Sequence, residues 1–369
     1  MIKILFFIET LSGGGAEKVL LNLVNAMDKS RFDITVQTLF PDEAAKHLDP
    51  AVRYKYCYKS ASKIGNLRMR TEAEIGLTYS LHIKGDYDIE VAYLECGSTK
   101  IMSASTNKKA TKLAWVHCDL SKKAGDVSAF VNETAKYYKK FDKIVCVSND
   151  ARNSFIEMYG NYPEAVTIYN CYNDREIKEK AELPIETEIS LPRPLLLGVG
   201  RLSEEKCFDR LLRVQKRLLQ EKIDFSLLIL GEGKERENLE KYISENSLEG
   251  HVELPGFCEN PYQYIKYADL LVCSSRYEGY STFAVEGLIL GKPMITTECG
   301  GMKELLQDGK YGMITENSEE GLYQGIKLIL TEKDIFESLQ KNVQCNNMFS
   351  LENSVEKTEE FFESFIKQR

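Results

Sequence analysis

Apolar runs of strand length alternate along this chain with longer amphipathic stretches, and that alternation restricts the fold more than any other feature. Ile2–Ile8 is continuously apolar but for Lys3, as expected of a strand buried on both faces. Ser12-Gly-Gly-Gly15 follows, and Ala16–Met27 then sets Val19, Leu20, Leu23, Val24 and Met27 at helical spacing. Phe32–Leu39, Ile89–Leu94, Lys112–Val116, Lys143–Val147 and Val166–Tyr169 are further strand candidates, mostly with helical segments between them. Such a rhythm predicts a parallel, doubly wound α/β sheet.

The run Glu179–Pro194 breaks the rhythm, with three of the nine prolines and many charges. The pattern then restarts with a strand at Leu195–Val199, a helix at Phe208–Leu219 and a strand at Phe225–Leu230. Further strands are predicted at His251–Leu254, Leu270–Cys273, Pro293–Thr296 and Gly312–Thr315, and only helices after Thr331. The domains predicted are 1–178, a linker at 179–194, a second α/β unit at 195–345 and a terminal helix at 346–369. A length of 369 residues suits two such units. A cleft between them, at the strands' carboxyl ends, is where a ligand is expected.

A net charge of −8 argues against general nucleic-acid binding. The charge is uneven: residues 1–185 carry 26 basic and 24 acidic side chains, the remainder 22 and 32. Ten cysteines without a Cys-x-x-Cys pair read as reduced thiols of a cytoplasmic protein, and four scattered histidines give no zinc spacing. The N-terminal run reads as a buried strand, not a signal peptide, and no apolar run reaches the roughly 18 residues a membrane span needs.

Several constellations could carry chemistry. In Ser275–Gly291, Glu278 and Glu286 stand on either side of a turn at Gly279, with Ser281 or Thr282 placed to cap the helix that follows. A capping box does not fit, because it needs the acid three residues after the hydroxyl. Spacing alone leaves a solvated helix start and a phosphate-and-hydroxyl site equally open. Gly200-Arg201…Lys206 opens the second unit, and its two cations can straddle a diphosphate or form surface salt bridges with Glu204 or Glu205. Gly13-Gly-Gly15 misses the dinucleotide fingerprint, which demotes NAD, but allows close backbone approach to a ligand. His117 ends a strand with Asp119 nearby and could bind a hydroxyl or exchange a proton, although a lone histidine is more often structural. Asp86-Tyr-Asp88 lies at a strand's amino end and reads as loop polarity, so no essential metal and no cofactor is expected. Residues 46–85 hold eight basic and three acidic side chains around a predicted helix at Ile64–Ile83. The 55–84 stretch could dock on anionic lipid or be an ordinary solvated face.

Glu278 and Glu286 at this spacing, Gly200-Arg201…Lys206, Gly13-Gly14 and His117 together resemble the retaining GT-B glycosyltransferases of family 4. The resemblance spans nearly the whole chain and is strongest from Leu195 to Glu320. It implies two Rossmann-like doubly wound domains facing across a cleft, with a nucleotide-sugar donor, a UDP-sugar first among them, bound mainly by the C-terminal one. Arg201 and Lys206 would hold the diphosphate, Glu278 the donor sugar hydroxyls and Glu286 the ribose. Tyr280, Ser281 and Thr282 would meet the phosphates through their backbone, and Phe257 and Cys258 would lie along the nucleobase. Gly13 and Gly14 would approach the phosphates and acceptor, and His117 the transferred sugar. Asn170 matches a family asparagine near the domain crossover. The acceptor implied is a glycan or lipid-linked saccharide at the inner face of the cell membrane, in surface-polysaccharide or capsule synthesis by hexosyl or N-acetylhexosaminyl transfer. Two departures stand out: Glu278-Gly-Tyr-Ser-Thr where Glu-Gly-Phe-Gly or -Pro is frequent, and Lys206-Cys-Phe where Lys-Gly is frequent. The rival readings are a sugar-nucleotide epimerase on the same fold and a non-catalytic nucleotide-sugar binding subunit.

Overall fold

The computed structural model describes all residues except Gly13, Ala61, Ser62, Tyr162, 186–188, Gly279, 345–348, Gln368 and Arg369. Two parallel sheets form its frame. The first contains β1 (Ile2–Phe7), β2 (Phe32–Thr38), β3 (Arg53–Tyr56), β4 (Ile89–Ala92), β5 (Thr111–Val116), β6 (Lys143–Cys146) and β7 (Glu164–Thr167), in the order β3-β2-β1-β4-β5-β6-β7. The second contains β8 (Leu195–Val199), β9 (Ser226–Leu230), β10 (Val252–Gly256), β11 (Leu270–Cys273), β12 (Met294–Thr297) and β13 (Gly312–Thr315), in the order β10-β9-β8-β11-β12-β13. Central strands are buried on both faces: Ile4 pairs with Ile34 and Ile89 on one, and Leu5 with Thr35 and Glu90 on the other. β3 was absent from the predicted strands because Arg-Tyr-Lys-Tyr lies at an edge, half-exposed, and needs no apolar run.

Chain contacts divide the molecule into one unit of Met1–Tyr172 with Ser350–Arg369, and a second of Asn173–Phe349. The division falls ahead of the proline-rich run. The helix Asp174–Ala181 belongs to the second unit because it packs on the helices Tyr262–Tyr267 and Thr282–Ile289. The predicted helix at Ile64–Ile83 is two helices, Lys63–Glu74 and Thr78–His82. Gly76, at φ +72°, ends the first, and the Leu77 N–H closes onto the Glu72 carbonyl at 2.8 Å. This is the left-handed stop that glycine permits and the hydrophobic spacing does not reveal.

The last helix, Leu351–Lys367, belongs to the first unit and packs on Gly15–Ala26. Its Phe362 is fully buried, with ring centroids 5.9 Å from Phe6, 6.2 Å from Trp115 and 6.5 Å from Phe32. Glu359 receives the Asp28 N–H at 2.6 Å and pairs with Arg31 at 2.8 Å. Removing the ring leaves a cavity beneath three aromatic neighbours, so Phe362→Ala should cost about 3–5 kcal/mol. Urea unfolding of the variant should show that loss, and an unchanged midpoint would exclude the helix from the unit's core.

Candidate active site

Each sheet has one place where strand order reverses: between β1 and β4 in the first, and between β8 and β11 in the second. At such a point the two flanking loops leave in opposite directions and open a crevice at the carboxyl ends. In the second unit these are the loops carrying Arg201 to Lys206 and Ser274 to Glu278.

The two loops meet through an ion pair. Lys206 Nζ lies 2.6 Å from Glu278 Oε1, with side-chain exposures of 25% and 12%. Ser275 Oγ donates to the same oxygen at 2.7 Å. Burial pushes the Lys206 ammonium down, but Glu278 and then Cys273 more than restore it, so the group stays charged. A cavity of about 10 Å³, room for one water at most, is lined by Lys206, Glu278 and Ser281 among others. Behind it Cys273 and Cys299 share a hydrogen bond that draws the Cys273 thiol down and pushes the Cys299 thiol up.

Arg201 differs from Lys206. It is exposed, and its guanidinium makes no hydrogen bond or ion pair among the described residues. No salt bridge to Glu204 or Glu205 closes among the described residues, and Arg201 acts on Glu205 only as a nearby charge. Gly200 lies against the Lys206 stem, where an added Cβ would come within 3.3 Å.

Ser281 is the cap of the helix Thr282–Ile289, accepting from the Ala284 N–H at 3.4 Å. The third helical position is thus Ala284, and Glu286 lies two residues beyond it, so no capping box forms there. Glu286 is 6% exposed and receives the Tyr262 hydroxyl at 3.4 Å. An apolar helix that buries a carboxylate beside its first turn has placed it for something other than solvation. Phe257, just past β10, is 78% exposed, and Cys258 is half-buried next to it. Gly279, the turn between the glutamates, lies outside the described residues, as does Gly13.

In the first unit Gly14 precedes the helix Gly15–Ala26. A Cβ there would lie 2.6 Å from the Glu17 carboxylate, which folds back over the turn. A ligand reaching Gly14 must displace that side chain. His117 follows β5, and its N–H donates to Glu95 at 3.0 Å, as does the Cys118 thiol at 3.1 Å. Its Nε2 is sealed from solvent without a partner, and the ring lies 4.9 Å from that of Tyr93. Burial holds the imidazole pKa down at about 4, so it is neutral near pH 7. Asp119, read from the sequence as its neighbour, instead caps the turn Leu120–Lys123 and accepts from Ser121 and Ser154. Asn170 has a buried side-chain oxygen without a partner. Asp88 accepts the Lys3 N–H at 2.9 Å, a tie at the amino end of the sheet.

In the basic segment, Arg68 is bound to Glu72 at 2.5 Å, and Lys55 to the Lys84 carbonyl at 3.0 Å. Burial pushes the Glu72 carboxyl up, but hydrogen bonds from Tyr58, Arg68 and His82 outweigh it and set its pKa at about 2. The helices Lys63–Glu74 and Thr78–His82 and the turn between them expose Leu67, Ile75, Leu77 and Leu81, apolar side chains that the count of charges did not bring out. No described helix is long and apolar enough to cross a membrane.

Residues 179–345 match the family Glycosyl transferases group 1. The match spans the Lys206–Glu278 pair, Glu286 and Phe257. A relative from Campylobacter jejuni, N-acetylgalactosamine-N,N'-diacetylbacillosaminyl-diphospho-undecaprenol 4-alpha-N-acetylgalactosaminyltransferase, is 28% identical over 352 residues, covering 93% of each chain. Among solved structures, HepE of Anabaena in complex with UDP-glucose is similar at 18% identity, covering 99% of this chain and 100% of that one with a TM-score of 0.74. Sucrose-phosphate synthase of Thermosynechococcus elongatus has a TM-score of 0.77 at 15% identity, over 100% of both chains. The fold is that of the GT-B glycosyltransferases, and the family match together with the Campylobacter jejuni relative supports a group 1 glycosyltransferase.

The sequence reading missed Ser275, Tyr262 and Glu95 as partners of Glu278, Glu286 and His117. Tyr262 and Glu95 lie outside the motifs, and only the fold brings them in. His117, half-buried with its Nε2 shielded from solvent, also carries a pH dependence. Its folded pKa lies below its unfolded value of about 6.5, so the unfolded chain binds more protons between roughly pH 6.5 and 4 and stability falls as pH falls through that window. His117→Gln should lose less stability than the unsubstituted protein between pH 7 and 5 by urea titration, and parallel losses would refute the buried neutral state.

Proposed function

We propose that this protein is a retaining family 4 glycosyltransferase that moves a hexosyl or N-acetylhexosaminyl group from a UDP-sugar to a lipid-linked saccharide in surface-polysaccharide assembly. The observation that carries this reading is the Lys206–Glu278 pair at the β8–β11 reversal, inside the segment that matches the family. HepE binds UDP-glucose, and the Campylobacter jejuni relative is named for a diphospho-undecaprenol substrate, which supports the choice of donor and acceptor.

On this reading the exposed, unpaired Arg201 meets the diphosphate first and bidentately. Lys206, charged and preorganised, neutralises the charge that develops as the bond to the leaving phosphate breaks. Glu278 turns from Lys206 and Ser275 to the hydroxyls of the donor sugar. Glu286 takes the ribose, the backbone of Tyr280, Ser281 and Thr282 the phosphates, and Phe257 with Cys258 the nucleobase. In the first unit His117 acts as a neutral imidazole toward a sugar hydroxyl, and Gly13 and Gly14 admit phosphate or acceptor once Glu17 moves. A front-face course, with the departing phosphate assisting deprotonation of the acceptor, requires no carboxylate nucleophile and no metal.

Four donors (UDP-glucose, UDP-galactose and their N-acetylamino counterparts) would be incubated in EDTA with membrane extract as acceptor, following UDP release and the product anomer. Retention in EDTA is expected with at least one. Lys206→Ala and Arg201→Ala should each lower kcat by about 10²–10³-fold with a smaller change in KM. Near-normal turnover in both variants would remove the charge-neutralising role.

The cytoplasmic face of the membrane is the expected location. Exposed Leu67, Ile75, Leu77 and Leu81 stand among Lys59, Arg70 and Lys84, a combination suited to an anionic lipid surface. Vesicles containing phosphatidylglycerol should sediment the protein. A variant with Lys59, Arg70 and Lys84 changed to Gln should bind them at least about tenfold more weakly, each charge near such a surface being worth roughly 1 kcal/mol. Equal binding would remove the patch from the reading.

A further inference from the structure

The Lys206–Glu278 pair rests on loops that are held from below by one side chain outside every motif. Asn317 follows β13. Its Nδ2 lies 2.8 Å from the Arg276 carbonyl, 3.1 Å from that of Glu298 and 3.4 Å from that of Ser275. Its Oδ1 accepts from Arg210 Nη1 at 2.9 Å. One amide thus joins the loops after β11, β12 and β13 to the helix Phe208–Gln220.

Both members of the ion pair are attached to this clamp. On the Glu278 side, the Ser275 carbonyl also receives Thr297 Oγ1 at 2.6 Å, and Glu278 follows three residues later. On the Lys206 side, the Ser274 hydroxyl donates to the Lys206 carbonyl at 2.7 Å and the Arg276 N–H to the Glu205 carbonyl at 2.8 Å. Cys207 closes the circuit. Its sulfur accepts from Arg210 Nη2 at 3.2 Å and from Arg276 Nε at 3.0 Å. It does so from a left-handed backbone, φ +52°, ahead of that helix.

We infer that Asn317, acting with Arg210 and Cys207, is a positioning residue for the Lys206–Glu278 pair and so determines turnover without touching the substrate. The inference rests on the proposed glycosyl transfer for its kinetic consequence, but not for its structural one. A carboxamide is required for a physical reason. It alone among side chains of this size offers two N–H donors to the carbonyls together with an oxygen for Arg210. Asn317→Asp keeps the shape and the arginine contact but turns carboxylate oxygen toward three carbonyl oxygens. Because Asn317 is exposed, its replacement opens no core cavity.

The experiment has two arms. In the first, hydrogen exchange is followed in peptides covering 203–207 and 275–282 of the intact protein. Asn317→Ala and Asn317→Asp should speed exchange in both peptides at an unchanged melting temperature, and unaltered exchange in either peptide overturns the inference. In the second, kcat and KM are measured with whichever of the four UDP-sugars the unsubstituted protein turns over. Asn317→Asp should lower kcat about tenfold or more while KM for the donor stays within about threefold. In a Glu278→Gln background the same change should cost less than about twofold, since its effect acts through Glu278. Independent, multiplicative losses would mean a merely structural role and overturn the inference. Should the Asn317 variants melt early, Thr297→Val, which removes the other tie on Ser275, is held to the same outcomes. Absence of turnover by the unsubstituted protein would count against the proposed function, and the positioning role would then be decided by exchange alone.

Discussion

A lysine and a glutamate brought to 2.6 Å across the strand-order reversal of the second sheet set the terms for everything around them. Each charge is partly withdrawn from water, which is tolerable only while the other is present and the remaining donors and acceptors are supplied by protein. Ser275 supplies one, and the cavity beside the pair leaves room for one water at most. The glycines at the strand ends serve the same end. Gly231 lies so close to Gly200 that a Cβ would come within 1.9 Å of its carbonyl oxygen, and Gly233 stands likewise to Leu202, at 2.1 Å. The loop after β9 therefore lies flat against the loop that carries the lysine.

The first unit solves a different problem with the same topology. At its reversal point the loops after β1 and β4 carry Glu9, Glu95 and Gly97, and an added Cβ on Gly97 would run into the Glu9 carboxylate at 2.1 Å. His117 is held by its backbone from Glu95 and by its ring against Tyr93, and its proton affinity is suppressed by burial. One unit presents a charged, preorganised cation pairing and the other a neutral ring among carboxylates.

Much of this was readable beforehand, for a definable reason. Strands buried on both faces of a parallel sheet tend to be continuously apolar, so β1, β8 and β9 announce themselves, and the strand order then brings Arg201, Lys206 and Glu278 to one edge. What stayed hidden depends on contacts rather than spacing. β3 is a polar edge strand, and Gly76 splits a helix that a count of charges treats as one. Asp119 lies near His117 in sequence, yet the buried partner is Glu95 from the loop after the neighbouring strand β4. Asn317 carries no signature at all: an asparagine between a strand and a helix reads as a turn residue, and its three carbonyl partners are 19 to 42 residues away.

Cys207 has a consequence for how such a site can change over time. A left-handed backbone position is most cheaply filled by glycine, and a side chain there is strained. Here the strained residue is also the acceptor for two guanidiniums, so relieving the backbone by itself would cost Arg210 and Arg276 one hydrogen bond each. The reverse exchange would add strain without recompense unless Arg210 and Arg276 were already present. Residues 207, 210 and 276 are therefore coupled: what a change at 207 costs depends on whether both arginines are there to lose their acceptor.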